Sequence, residues 1–214
     1  MKPSDLIDIV DRYCTDAGGI ITHPASYLSA LNLDDRALFI RGATYFVLSV
    51  GVVFLLAVPV FWKHGRTISP EMHQFFGLFL LLVLGVVYHI SFKLLGGSGT
   101  LRQTLGAYGF VAGTLAPVHA VLMYPSALKF GPEFVLLTSA PAIQAATKNI
   151  DPSVSNVTFL ASNMMVTGLV EPIVGLLIAV PTFAAVHRMG YWRSFVSLLV
   201  PLVLVFFFLI GVAS

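Results

Sequence analysis

The sequence predicts an all-α fold: a membrane bundle of five transmembrane helices preceded by a short amphipathic helix. Three observations predict it. Of 214 residues, 57% are hydrophobic and only 10% charged, against about 25% charged in a soluble domain. The chain also contains four long runs without Asp, Glu, Lys or Arg, each bounded by a charged residue on at least one side. Finally, these runs are continuously apolar rather than alternating, which excludes the ~10-residue alternating strands of a membrane barrel. Helices satisfy every backbone group internally where no water is present.

The elements follow in order. Ser4 to Tyr13 sets Leu6, Ile7, Ile9, Val10 and Tyr13 at helical spacing among Asp5, Asp8, Asp11 and Arg12, with Ser4 as N-cap. This is the amphipathic helix, lying against the membrane or the inner loops. The uncharged runs Gly42 to Trp62, Met72 to Phe92, Gln103 to Leu128 and Ser194 to Ser214 each reach the ~20 residues a crossing needs. The remaining span, Phe159 to Val186, is interrupted by Glu171 but is otherwise too apolar for water. Glu133 to Asn149 is punctuated by prolines and reads as an interfacial or re-entrant segment. Residues 1–41 thus form a cytoplasmic N-terminal segment and residues 42–214 the transmembrane domain.

Basic residues set the orientation. With five spans, one side holds Lys2, Arg12, Arg36, Arg41, Lys93, Arg102, Arg188 and Arg193, and the other Lys63, Arg66, Lys129 and Lys148. Eight against four places the N-terminus in the cytoplasm and the C-terminus outside. No signal peptide precedes the first span, because residues 1–41 hold six aspartates and no apolar core. The net charge of +2 gives no footprint for nucleic acid. A single cysteine, Cys14, rules out an intrachain disulfide and any cysteine-based zinc site.

Catalytic signatures are absent. There is no His-Glu-x-x-His, no Gly-x-Ser-x-Gly elbow and no Gly-Lys-Ser/Thr phosphate loop, so no catalytic, cofactor-binding or metal-binding residues are assigned. Intramembrane polar residues carry the sharpest signal instead. Glu171 lies inside the fourth span, where an unpaired carboxylate is costly. Gly168 and Gly175 lie three residues before and four after it, on the same helix face. Antiparallel order brings His119 of the third span to a similar depth, which makes His119 and Glu171 a candidate polar pair, structural or proton-relaying. His89, one turn before Lys93, reads as interfacial. Gly109 and Gly113, with Gly106 one turn earlier, permit close helix approach. Gly96, Gly97 and Gly99, with Arg102 beyond them, form a candidate inner-loop motif, either a hinge or a turn whose amides meet a lipid phosphate or a partner.

From Lys93 to Leu105 (Lys-Leu-Leu-Gly-Gly-Ser-Gly-Thr-Leu-Arg-Gln-Thr-Leu) the chain resembles the bacterial branch of the Yip (Ypt-interacting protein) domain family. There a Gly-Gly-x-Gly turn, an aromatic or apolar residue, a basic residue and Gln-Thr open the third span. The likeness continues through Ala107-Tyr108-Gly109 to Pro117, although the glycine here follows the tyrosine. It includes Thr22-His23-Pro24-Ala25-Ser26-Tyr27-Leu28, similar to the family's pre-membrane segment. The resemblance implies five helices, a cytoplasmic N-terminus and no catalytic residues. Eukaryotic relatives bind prenylated Rab-type GTPases in vesicle trafficking. This chain lacks their Asp-Leu-x-Gly-Pro motif and has a short N-terminal segment, which points to a member from the cytoplasmic membrane of a prokaryote.

Three functions stay open on the sequence. One is a non-enzymatic membrane-organising protein that docks a protein partner on its cytoplasmic face. Another is a small transporter or channel using Glu171 and His119. The last is an accessory subunit of a membrane complex. The bilayer is the partner common to all three, with a homo-oligomer as a further candidate and no cofactor required.

Overall fold

The computed structural model describes residues 3–31, 34–65, 72–134, 150–151 and 153–213, leaving out the side chains at 3, 6, 72–82, 133, 202 and 204–213. Among the described residues the regular structure is entirely helical. The helices are α1 (Pro3–Thr22), α2 (Pro24–Leu31), α3 (Asp35–Lys63), α4 (Met72–Leu94), α5 (Leu101–Phe130), α6 (Val154–His187) and α7 (Tyr191–Ala213). A 3₁₀ turn covers Pro132–Phe134. The interfacial segment expected from Glu133 to Asn149 otherwise lies outside the described residues.

The helix ends follow local chemistry. Asp34 caps α3 by accepting the Ala37 amide at 2.7 Å. A capping box opens α5, where the Thr100 hydroxyl accepts the Gln103 amide and the Gln103 side chain accepts the Thr100 amide. Gly96, at φ 86°, ends α4, with the Gly97 amide donating to the Phe92 carbonyl and the Gly96 amide to Lys93. The same pattern closes α6 through Met189 to Ala184 and Arg188 to Ala185, although the left-handed residue is Arg188 at φ 50°. The amphipathic helix runs on from Tyr13 to Thr22. Gly18 and Gly19 do not break it, and Gly19 lies beneath the Tyr27 ring, where an added Cβ would clash.

Helices α3, α5 and α6 are long and apolar enough to cross a membrane. Large apolar side chains are among their exposed positions. Leu55 is 72% exposed, Leu177 69% and Met165 68%, a distribution that suits hydrocarbon and not water. Trp62 near the end of α3, and Tyr191 with Trp192 at the start of α7, are also exposed, as aromatic side chains are at membrane–water boundaries.

The chain forms two compact units. One comprises Met1–Phe46, Leu82–Ala112 and Leu176–Ser214, the other Val47–Leu81 and Gly113–Gly175. In the first, α3 and α5 meet backbone to backbone. A Cβ on Gly106 would fall 2.7 Å from the Leu38 carbonyl oxygen, and one on Gly109 2.6 Å from that of Gly42. The close approach expected for Gly109 therefore uses Gly106 and Gly42 as its other members. Gly113 is buried further along α5. The second unit is centred on Val53, Ala57 and Val60 of α3 against Ala116, Ala120, Met123 and Ala127 of α5. Both rows recur at three- and four-residue spacing, with small side chains dominating α5.

Candidate functional site

Three polar clusters stand out. In the second unit, α5 and α6 run antiparallel with a polar contact at successive turns. The Ser126 hydroxyl bonds to the Asn163 side chain, whose amide donates to the Leu122 carbonyl at 2.8 Å. One turn on, Thr167 donates to the Asn163 carbonyl and lies 3.3 Å from the Met123 sulfur. At the next turn His119 Nδ1 lies 3.0 Å from Glu171 Oε2, with side chains 19% and 30% exposed. A Cβ on Gly175 would then make ordinary contact with Leu115 at 3.4 Å.

This ladder explains the pairing: each turn of one helix meets the turn of matching depth on the other. The imidazole gives the acid a hydrogen-bond partner, which relieves the cost of an isolated carboxylate in a low-dielectric setting. Neither side chain is fully buried. Gly168, expected to pack on the Glu171 face, does not. It is exposed, and among the described residues an added Cβ would meet nothing within 4 Å. Sharing a face with Glu171 did not suffice, because the contact with α5 runs through Asn163, Thr167, Glu171 and Gly175.

The second cluster fixes the N-terminal helices to α3. Asp16 of α1 is 3% exposed. It accepts from Arg41 of α3, at 2.7 Å from Nη2 and 3.1 Å from Nε, and from the Tyr27 hydroxyl of α2. Arg41 Nη2 also donates to the Tyr27 oxygen at 3.1 Å, closing the triangle. Burial, then the neighbouring Asp16 carboxylate, pushes the Tyr27 phenol up to about 12. Tyr13 stacks on Tyr45 with ring centroids 5.1 Å apart, and Ile20 is fully buried. By contrast, Ile7, Val10, Asp8, Asp11 and Arg12 on the first turns of α1 are exposed.

The third cluster absorbs the glycine-rich motif. His187, the last residue of α6, is fully buried. Its Nε2 lies 3.0 Å from Thr104 Oγ1, which lies 2.8 Å from His89 Nδ1 and donates to the Thr100 carbonyl at 2.9 Å. As the C-cap of α6, His187 has a carbonyl with no partner in its own helix. Ser98 supplies two, from its amide at 3.0 Å and its hydroxyl at 3.1 Å. A Cβ on Gly97 would fall 2.7 Å from His187 Nδ1, and one on Gly99 3.0 Å from the same atom. The Gly96–Gly99 turn is therefore docked on His187 and is not a free hinge. Arg102 is exposed beyond it. His89, one turn before Lys93, is half-buried in this network. Sequence reasoning passed over His187, because a histidine at the end of a span matches no motif. The one available signal was the run of glycines that must lie against something.

Among the described residues no group of three or more His, Cys, Asp or Glu side chains is placed to hold a metal ion. The helices, their apolar exposed faces and the paired intramembrane acid define an integral membrane protein. The model of the Yip1 domain matches residues 18–213. The chain belongs to that family. No curated protein and no solved structure matches it.

Proposed function

We propose that the chain is a non-enzymatic, five-span Yip-family protein of a prokaryotic cytoplasmic membrane. Its N-terminus is inside, its C-terminus outside, and it docks a protein partner on its inner face. Family membership and three crossing-length helices support the membrane setting. Helices α4 and α7 have 23 residues each, enough at 1.5 Å per residue for a ~30 Å hydrocarbon core. The eight-to-four basic asymmetry supports the orientation.

The observation that carries the docking reading is the Asp16–Tyr27–Arg41 triangle. It makes the N-terminal helices a built surface on the bundle, with the first turns of α1 displayed. A photo-crosslinker at Ile7 or Val10 should capture a protein partner in cells, and Asp16→Ala should abolish that capture. Crosslinks to lipid alone would overturn the docking reading. Cysteine labelling at Lys2 and Ser214, with Cys14 replaced by serine, tests the topology. Both positions labelling from one side would defeat the five-span count.

A second reading, proton-coupled transport, is favoured by the 3.0 Å His119–Glu171 contact. It requires Glu171→Gln to abolish flux while the fold survives.

A further inference from the structure

The hydrogen bonds around Thr104 fix the protons on both histidines. Its hydroxyl has one proton and faces three partners. The Thr100 carbonyl can only accept, so it takes that proton. Both ring nitrogens must then donate to the Thr104 oxygen: Nδ1–H of His89 and Nε2–H of His187. Neutral His187 thus keeps a bare lone pair on Nδ1. That atom is buried and has no hydrogen-bond partner among the described residues.

Among the described residues the cage offers no acceptor for a second proton on this ring. Nδ1 looks onto the backbone of Gly97 and Gly99. Phe92 stacks on the ring, with centroids 4.5 Å apart and planes at 20°. Among the described residues, two titratable groups act on His187, namely His89 and Lys93, both on α4. Lys93 also reaches the Ser98 carbonyl at 3.5 Å. The α5 side contributes the neutral Thr104 hydroxyl, and the turn contributes backbone. An added proton would be a buried N–H without an acceptor, on a cation facing another cation.

We propose that His187 is a pH-operated latch: neutral, it holds the Gly96–Gly99 turn on the end of α6, and protonated, it releases the turn. The sign follows from linkage. The docked state excludes the proton and the released state binds it, so docking is complete above the ordinary histidine range and is lost as pH falls through it. A released imidazole titrating near ~6.5 gives an opening constant about 30-fold larger at pH 5.0 than at pH 7.5.

Hydrogen exchange of the Ser98 amide in the full chain in detergent, corrected for the intrinsic pH dependence of exchange, reads this opening. Wild type should show the rise, His187→Gln should flatten it, and His89→Gln should keep it. No rise in wild type, an equal rise in His187→Gln, or its loss in His89→Gln would overturn the latch. Should His187→Gln not fold, replacing His23, His64, His73 and His119 together by Gln leaves the cluster intact. That variant must keep the full rise, and its loss there would refute the proposal equally.

Discussion

Replacing Asp16 by alanine tests the attachment of α1 and α2 to α3 most directly. The change removes an acceptor serving Arg41 through two nitrogens and Tyr27 through its hydroxyl. Hydrogen bonds to charged groups contribute about 1.5–3 kcal/mol each, and breaking a buried pair from one side costs about 3–5 kcal/mol. Arg41 retains 27% exposure, so its charge recovers part of its solvation and the low end applies, ~3 kcal/mol. That is on the order of a 10²-fold increase in the undocked population. The effect should be local, because the Tyr13–Tyr45 stack and the buried Ile20 and Leu28 remain. Hydrogen exchange over residues 13–28 should therefore speed up by about that factor, with little change in α5. Asp16→Asn keeps one neutral acceptor and should lose about 1–2 kcal/mol. Exchange in Asp16→Ala within twofold of wild type would show that the triangle does not hold these helices.

Tyr27 adds an alkaline dependence. Its raised phenol means that docking favours the protonated form, so the stabilisation is complete below pH ~10 and is lost as pH rises towards about 12. Protease sensitivity of α1–α2 should climb across that window in wild type, and an identical climb in Tyr27→Phe would remove Tyr27 as its cause. Gly109→Ala should lower thermal stability by about 1–3 kcal/mol through overpacking against the Gly42 backbone. The control Gly168→Ala, in open space, should be neutral or gain up to ~1 kcal/mol in helix propensity. A Gly109→Ala protein as stable as wild type would mean that the α3–α5 backbones are not in contact there. Glu171→Gln keeps a group able to bond His119 and should preserve the unfolding temperature, whereas Glu171→Leu should lower it. Equal stability in the two variants would deny the pair a structural part.

The helices were legible because charge exclusion and length act on the sequence directly. As far as the described residues extend, each uncharged run lies within an observed helix, and α6 runs through Glu171. The proximity of His119 and Glu171 was legible for a related reason, since antiparallel neighbours joined outside the membrane share depth. What stayed hidden depended on partners distant in the chain. Asp16 lies beyond the predicted amphipathic helix and has no assigned role until Arg41, 25 residues on, is brought against it. The glycine turn reads as a hinge until His187, 89 residues beyond Ser98, fills the space beside it. Gly168 erred in the opposite sense, because helical phase gives a direction but not a neighbour.

The chain contains two tryptophans, Trp62 and Trp192, and both side chains are largely exposed. Under the proposed topology they report from opposite leaflets. The unlabelled protein therefore carries its own pair of optical depth gauges. Deleting either indole leaves a single-emitter variant, whose quenching by lipids brominated at known acyl positions measures how deeply that end of the bundle is immersed.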